Sequence, residues 1–124
     1  MTAEEIVASF IAAIEHKDID GVLALMSPDA EYDNVPMSKA VGHDAIRGVL
    51  TMFLGEGSST VEFKVLRQAA TGSVVMNERI DRLEIGGKTI EIAVAGVFEV
   101  DLDKGTVVLW RDYFDLAQFQ SQMG

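Results

Sequence analysis

The chain contains no cysteine, which excludes disulfides, thiolate metal sites, iron–sulfur clusters and a cysteine nucleophile, while leaving its compartment open. Proline is scarce, with two residues, and no repeat, Pro-rich linker or low-complexity tract divides the chain. Positive charge is also scarce: ten Lys and Arg face twenty Asp and Glu, a net charge of −10 at pH 7 over 124 residues. Such a surface repels a phosphate backbone, so nucleic acid is excluded as a partner. The longest apolar runs, such as Ile92 to Phe98, fall far short of the ~20 residues that span a membrane. The opening residues carry Glu4 and Glu5 instead of a basic stretch followed by an apolar run, so no secretory signal is expected and the cytoplasm is the default location. No G-x-S-x-G, GxGxxG or Walker-type loop occurs, which removes the usual serine hydrolase, dinucleotide and nucleotide readings. His16 and His43 each lack a second histidine at ligand spacing; no metal and no cofactor are expected.

What is present is a foldable chain, 48% apolar with a mean hydropathy of +0.20, of a length that suits one domain over residues 1–124. Thr2 and Glu5 have the spacing of a capping box, and Ile6, Val7, Phe10, Ile11 and Ile14 follow at helical period, with His16 and Lys17 placing positive charge at the helix end. Asp18 or Asp20 can cap a short second helix through Ile19, Val22, Leu23 and Met26, which the Ser27-Pro28 step should end. A third helix is expected from about Asp44, with Ile46, Val49, Leu50, Phe53 and Leu54 apolar and Gly55 and Gly57 as its stop. After Ser59 the period alternates, giving four strands: one through Val61, Phe63 and Val65, then Val74 to Ile85, Thr89 to Asp101 and Thr106 to Phe114. Gly86-Gly87 and Asp103-Lys104-Gly105 are turn signals, so these strands pair as an antiparallel meander. Leu116, Phe119 and Met123 suggest a last short helix, and Met26, Met37, Met52 and Met76 read as gap fillers. The fold class is α+β: N-terminal helices on a strongly curved, mainly antiparallel sheet, a form that can hold a ligand in its mouth.

Alternation places Asn77, Arg79, Asp81 and Leu83 on one face of their strand, and Val108, Trp110, Asp112 and Phe114 on one face of the last strand. The strand between them presents Ile90, Ile92, Val94, Gly96 and Phe98, an apolar set that must face the core. If the three strands are neighbours, Arg79, Asp81 and Asp112 project into that interior, where an unpaired charge costs several kcal/mol. Two readings follow from spacing alone. One is an interior salt-bridge cluster with one guanidinium between two carboxylates. The other is an acid/base pair whose carboxylates titrate apart in a dry pocket. Tyr32 and Asn34 lie two apart on a short extended segment; they read as turn and rim residues near Pro36, or as a pair able to hold a water. Asp29, Glu31 and Asp33 read as a solvated rim.

The segments Tyr32-Asp33-Asn34, Glu78-Arg79-Ile80-Asp81 and Trp110-Arg111-Asp112-Tyr113-Phe114-Asp115 resemble those of limonene-1,2-epoxide hydrolases, within the wider nuclear-transport-factor-2-like superfamily. The resemblance covers nearly the whole chain, and its specific part is Arg-x-Asp together with Trp-Arg-Asp-Tyr-Phe-Asp. It implies a cone of helices and curved sheet, a homodimer, and one-step opening of an epoxide to a vicinal diol without a cofactor or a covalent enzyme intermediate. By position, Asp112 resembles the general base, Tyr32 and Asn34 the residues that help it hold the attacking water, Asp81 the general acid, and Arg79 the arginine between the carboxylates. Met26, Phe53, Leu83, Ile92, Val94, Trp110 and Phe114 would then line the substrate pocket, favouring a small lipophilic epoxide, with water as co-substrate. Asp33 adds a charge beside the water-holding pair. The rival readings are an isomerase or cyclase of the same superfamily, which leaves Arg79 and Asp81 idle, and a non-enzymatic ligand-binding or dimerisation module.

Overall fold

The structure, a computed structural model, describes residues 1–123 and runs α1 (Ala3–Glu15), α2 (Ile19–Ala24), β1 (Met26–Asn34), β2 (Lys39–Val41), α3 (His43–Leu54), β3 (Ser58–Thr71), β4 (Val74–Ile85), β5 (Lys88–Asp101), β6 (Thr106–Phe114) and α4 (Leu116–Met123). The capping box forms as its spacing predicts: Thr2 N–H donates to Glu5 Oε1 at 2.8 Å and Glu5 N–H to Thr2 Oγ1 at 3.2 Å, satisfying donors that a helix start otherwise leaves open. At the other end Lys17 takes φ 57°, and its N–H bonds Ile14 O while Asp18 N–H bonds Ala13 O, a Schellman closure with lysine in the place glycine usually fills. The Lys17 ammonium then reaches Ser58 O. Asp18, of the two candidates, caps α2 by accepting from Gly21 N–H at 2.9 Å.

Six strands form one mixed sheet in the order β2-β1-β6-β5-β4-β3, curled but unclosed. The expected meander β3 to β6 is present and antiparallel, with Gly86 and Gly87 at φ 59° and 80° in its central turn. Two strands were not anticipated. Met26 does not extend α2, which stops at Ala24; it opens β1, which runs parallel to β6. Pro28 is tolerated there because it falls between Met26 and Glu31, where the β1–β6 ladder is irregular and no ladder donor is lost. The three-residue β2 then pairs with β1 at the sheet edge.

The core lies between the helices and one face of the sheet. Phe10 of α1 is fully buried and meets Trp110 edge-on, centroids 5.2 Å apart. Ile6, Val7 and Ile14 of α1, Ile46 and Leu50 of α3, and Val75 and Phe98 of the sheet complete it. Of the four methionines assigned as fillers, Met26 is buried, whereas Met37, Met52 and Met76 are exposed. The inward set of β6 also differs from strict alternation. Val107, not Val108, is buried, because one extra β6 residue is accommodated where Glu99 pairs Leu109 and Val100 pairs Val107. That bulge restores Trp110 and Asp112 to the inner face.

Candidate active site

The register of the sheet assembles the site row by row. One row reads Val75, Phe98, Trp110, Tyr32 across β4, β5, β6 and β1; two residues along, the next reads Asn77, Gly96, Asp112, Asn34. The first row is a stack of rings, with Tyr32 lying on Trp110 at 3.8 Å and 8° and Phe98 on its other side at 6.4 Å. The second is polar, with Asn77, Asp112 and Asn34 each 4 to 7% exposed. Tyr32 and Asn34 therefore flank Asp112 through the parallel β1–β6 pairing, on a strand rather than at a turn.

Arg79, with no exposed surface, ties the polar residues together. Its Nε and Nη2 donate to Asp81 Oδ1 and Oδ2, both at 2.9 Å, and Nη2 donates as well to Asp112 Oδ2 at 2.9 Å. Nη1 donates to Asn77 Oδ1 at 3.0 Å. The guanidinium carbon stands 4.7 Å from the centre of the Phe63 ring and 5.7 Å from that of Phe98, so aromatic faces cover the cation. Position 96 makes this crossing possible. A Cβ there would overlap Arg79 Nη1 and come within 2.9 Å of Asp112 Oδ1 and 3.0 Å of Asn77 Oδ1; glycine is required for close approach, not for backbone freedom. Asn77 and Gly96 were both on the inward faces read from the sequence, but neither was assigned a part. A lone glycine inside a buried strand was the available signal.

Two carboxylates share one cation in a dry interior, and the charges respond accordingly. Burial pushes the Asp81 carboxyl up to about 6 against the opposing pull of Arg79. Burial raises Asp112 too, again opposed by Arg79; the Trp110 indole N–H also tempers it without meeting hydrogen-bond geometry. Burial disfavours the Arg79 charge, but Asp112 and Asp81 outweigh it and the guanidinium stays ionised. Burial and the Asp112 charge raise the Tyr32 phenol, which remains a proton-bearing donor. One asymmetry separates the carboxylates: both Asp81 oxygens accept from Arg79, whereas Asp112 Oδ1 is buried and unpartnered.

A mostly apolar cavity opens over this cluster, with a few polar groups converging at one end as in small-molecule sites. Asp81, Asp112, Tyr32 and Asn34 line its polar end, and Trp110, Phe53, Leu83, Ile92, Val94 and Phe114 appear in its wall as the sequence led one to expect. Met26 does not line it; as part of β1 it lies in the main core, where its carbonyl meets His43 Nε2 at 3.0 Å. Arg79 lies behind the carboxylates, outside the lining. Ile14, Leu50, Leu54, Phe63 and Phe119 also line it and were not expected from the sequence. Phe119 sits within an aromatic group, 6.2 Å from both Phe53 and Phe114. Asp33 contributes nothing to the cavity; its charge is held on the other face by Arg111 at 3.0 Å. Among the described residues, no three His, Asp or Glu side chains gather as metal ligands.

Known proteins resemble this chain in sequence and in fold. A sequence model of the limonene-1,2-epoxide hydrolase catalytic domain matches residues 1–124. The epoxide hydrolase EphG of Mycobacterium tuberculosis is 38% identical over 110 residues, 89% of this chain and 71% of that protein. The solved structure of an M. tuberculosis epoxide hydrolase like those of the limonene family superposes with a TM-score of 0.82 at 36% identity, over 97% of this chain and 87% of that one. SalBIII, an epoxide hydrolase/cyclase-like enzyme with a role in pyran ring formation in polyether salinomycin, shares the fold at 17% identity and a TM-score of 0.79, over 94% of this chain and 92% of its own.

Proposed function

This chain belongs to the limonene-1,2-epoxide hydrolase family and is an epoxide hydrolase of that type, and from that premise we propose that Asp112 and Asp81 open the epoxide as base and acid. Water held by Asp112, Tyr32 and Asn34 attacks one epoxide carbon while Asp112 takes its proton. The carbon–oxygen bond on the far side breaks, and Asp81 gives its proton to the departing oxygen. The product is a vicinal diol, and the proton gained by Asp112 returns to Asp81 before the next turnover. The observation that carries the assignment is the unpartnered, buried Asp112 Oδ1 beside a carboxylate whose two oxygens are both engaged. Asp112 is paired with Asn34 across the β1–β6 ladder, with Tyr32 two residues before it, so in this reading a water oriented by the two side chains gives its proton to that free carboxylate. Arg79 offsets one negative charge of two, so burial favours the pair holding a single proton. The apolar wall suits a lipophilic epoxide. Proton shuffling beside a carbonyl, the task of an isomerase, would leave Asp81 and Arg79 without work.

Single turnover in oxygen-18 water, with enzyme in excess, tests the direct attack. One labelled oxygen in the diol and none in the protein are expected; label in Asp112 with an unlabelled diol would require a covalent ester instead. Asp112→Asn and Asp81→Asn should each lower turnover by ~10²-fold or more in a folded protein. Residues 1–124 act in this reading as one catalytic domain, in the cytoplasm and as a homodimer. The outer sheet face, where Leu66, Met76 and Tyr113 are 46, 56 and 47% exposed, supports pairing of two copies. Light scattering of the purified protein decides the oligomer.

A further inference from the structure

The acid, the base and the bridging cation leave one buried polar side chain of the cluster without a task. Asn77 is 5% exposed and lies in the row of Gly96 and Asp112. Its amide is fixed at both ends: Nδ2 donates to Gln68 Oε1 of β3 at 3.2 Å, which turns Oδ1 toward Arg79, where it accepts from Nη1 at 3.0 Å. We propose that Asn77 is a positioning residue for ring opening, holding Arg79 Nη1 away from Asp112 so that Asp112 Oδ1 stays free to take the proton from water. The inference rests on the acid/base reading of the site.

The argument is one of competition. Nε and both N–H groups of Nη2 of Arg79 are committed to the two carboxylates, and one of the two N–H groups of Nη1 donates to Asn77 Oδ1, which anchors that nitrogen. Nη1 and Asp112 Oδ1 border the same gap over Gly96, since a Cβ at that residue would overlap the first and lie 2.9 Å from the second. A buried N–H deprived of its acceptor seeks another. Asp112 Oδ1, unpartnered and bordering the same gap, is open to accept it. With that bond made, Arg79 would grip both oxygens of Asp112, as it grips both of Asp81, and the base would become a weaker one. A neutral acceptor suits the position because it occupies Nη1 without claiming the charge that the two carboxylates share. The charged and titratable groups facing Asp112 are Arg79 and Asp81 from β4 and Tyr32 from β1; Gly96 of β5 adds none.

The test is the pH profile of kcat/KM for diol formation from a lipophilic epoxide, measured for wild type, Asn77→Leu, Asn77→Asp, Gln68→Ala and Asp112→Asn. Asn77→Leu removes the acceptor at similar volume; kcat should fall ~10-fold or more with KM within about twofold, and the acidic limb should move down by about one pH unit. Asn77→Asp keeps an oxygen for Nη1 but adds a third negative charge, so that limb should move up instead. Gln68→Ala, at an exposed residue, frees the Asn77 amide and should shift the limb in the direction of Asn77→Leu by a smaller amount, even if the leucine variant does not fold. A limb that stays put in Gln68→Ala, or moves the same way in the leucine and aspartate variants, overturns the inference while leaving the acid and base in place. Full turnover in Asp112→Asn would overturn the site reading itself, and this inference with it.

Discussion

At the polar end of the cavity and in its apolar wall, the same three strands build two environments within one step of alternation. On β4 the inward residues pass from Arg79 and Asp81 to Leu83, on β5 from Gly96 to Val94 and Ile92, and on β6 from Asp112 to Phe114. In the wall, side chains are interchangeable in kind, and each contributes area and shape. At the polar end no member can change alone, because four of the five N–H groups of the cation and all but one carboxylate oxygen are committed to a named partner. In the proposed mechanism chemistry and substrate choice are thereby separated along the strands: the polar end would govern whether the ring opens, and the wall which ring fits.

That separation is broken most severely at Arg79. Arg79→Ala leaves two buried carboxylates facing each other, so turnover should vanish and stability fall by about 3–5 kcal/mol in urea denaturation, with partial recovery of stability at low pH. Gly96→Ala should come next. Its methyl displaces the guanidinium, and turnover should drop by ~10²-fold or more although the substitution is conservative in every other respect; an alanine variant of normal activity would show that the crossing over β5 is looser than the structure indicates.

A third outcome is read from pH. The Asp81 carboxyl sits near 6 when folded, against an ordinary 3.8, so the folded protein binds the extra proton. The stability this group contributes is full below about pH 4 and is lost as pH rises through about 6. The difference in melting temperature between wild type and Asp81→Asn should therefore shift against wild type from pH 4 to pH 7; a constant difference would mean the carboxyl is not raised by folding.

The wall gives smaller effects. Phe119→Ala, at the α4 end of the cavity, should leave kcat within about threefold while KM rises several-fold for a small epoxide and falls relative to it for a bulkier one. Smallest of all is Asp33→Asn on the outer face. Its partly exposed pair with Arg111 should be worth less than about 1 kcal/mol and nothing in turnover; a large loss of activity would place Asp33 in the site after all.

The polar cluster was legible in the sequence because alternation is local. Once Asn77, Arg79 and Asp81 share a face with one strand between them and Asp112, their convergence follows from the pleat. The arrangement of β1 was not legible for the opposite reason. Met26 continues the apolar spacing of α2, and only its pairing with Val107, far along the chain, makes it a strand residue. Val108 misled in the same way, since a bulge is defined by the partner strand and not by its own neighbours. Tyr32 and Asn34 were drawn as much from resemblance as from spacing, because what seats them beside Asp112 is the parallel pairing of β1 with β6, for which the segment itself carries little signal. The roles of Asn77 and Gly96 required distances between atoms that no pattern of residue types supplies.

The ring stack beneath the polar row also makes the molecule its own optical reporter. The chain has a single tryptophan, and it is Trp110, 1% exposed, stacked on Tyr32 and lining the cavity. Indole emission responds to the polarity and motion of its surroundings, and in this protein all of it comes from one residue at the wall of the cavity. A ligand entering the cavity will change that emission with no second tryptophan to dilute the signal. Occupancy can thus be followed without label and without turnover, in Asp112→Asn as readily as in the active enzyme.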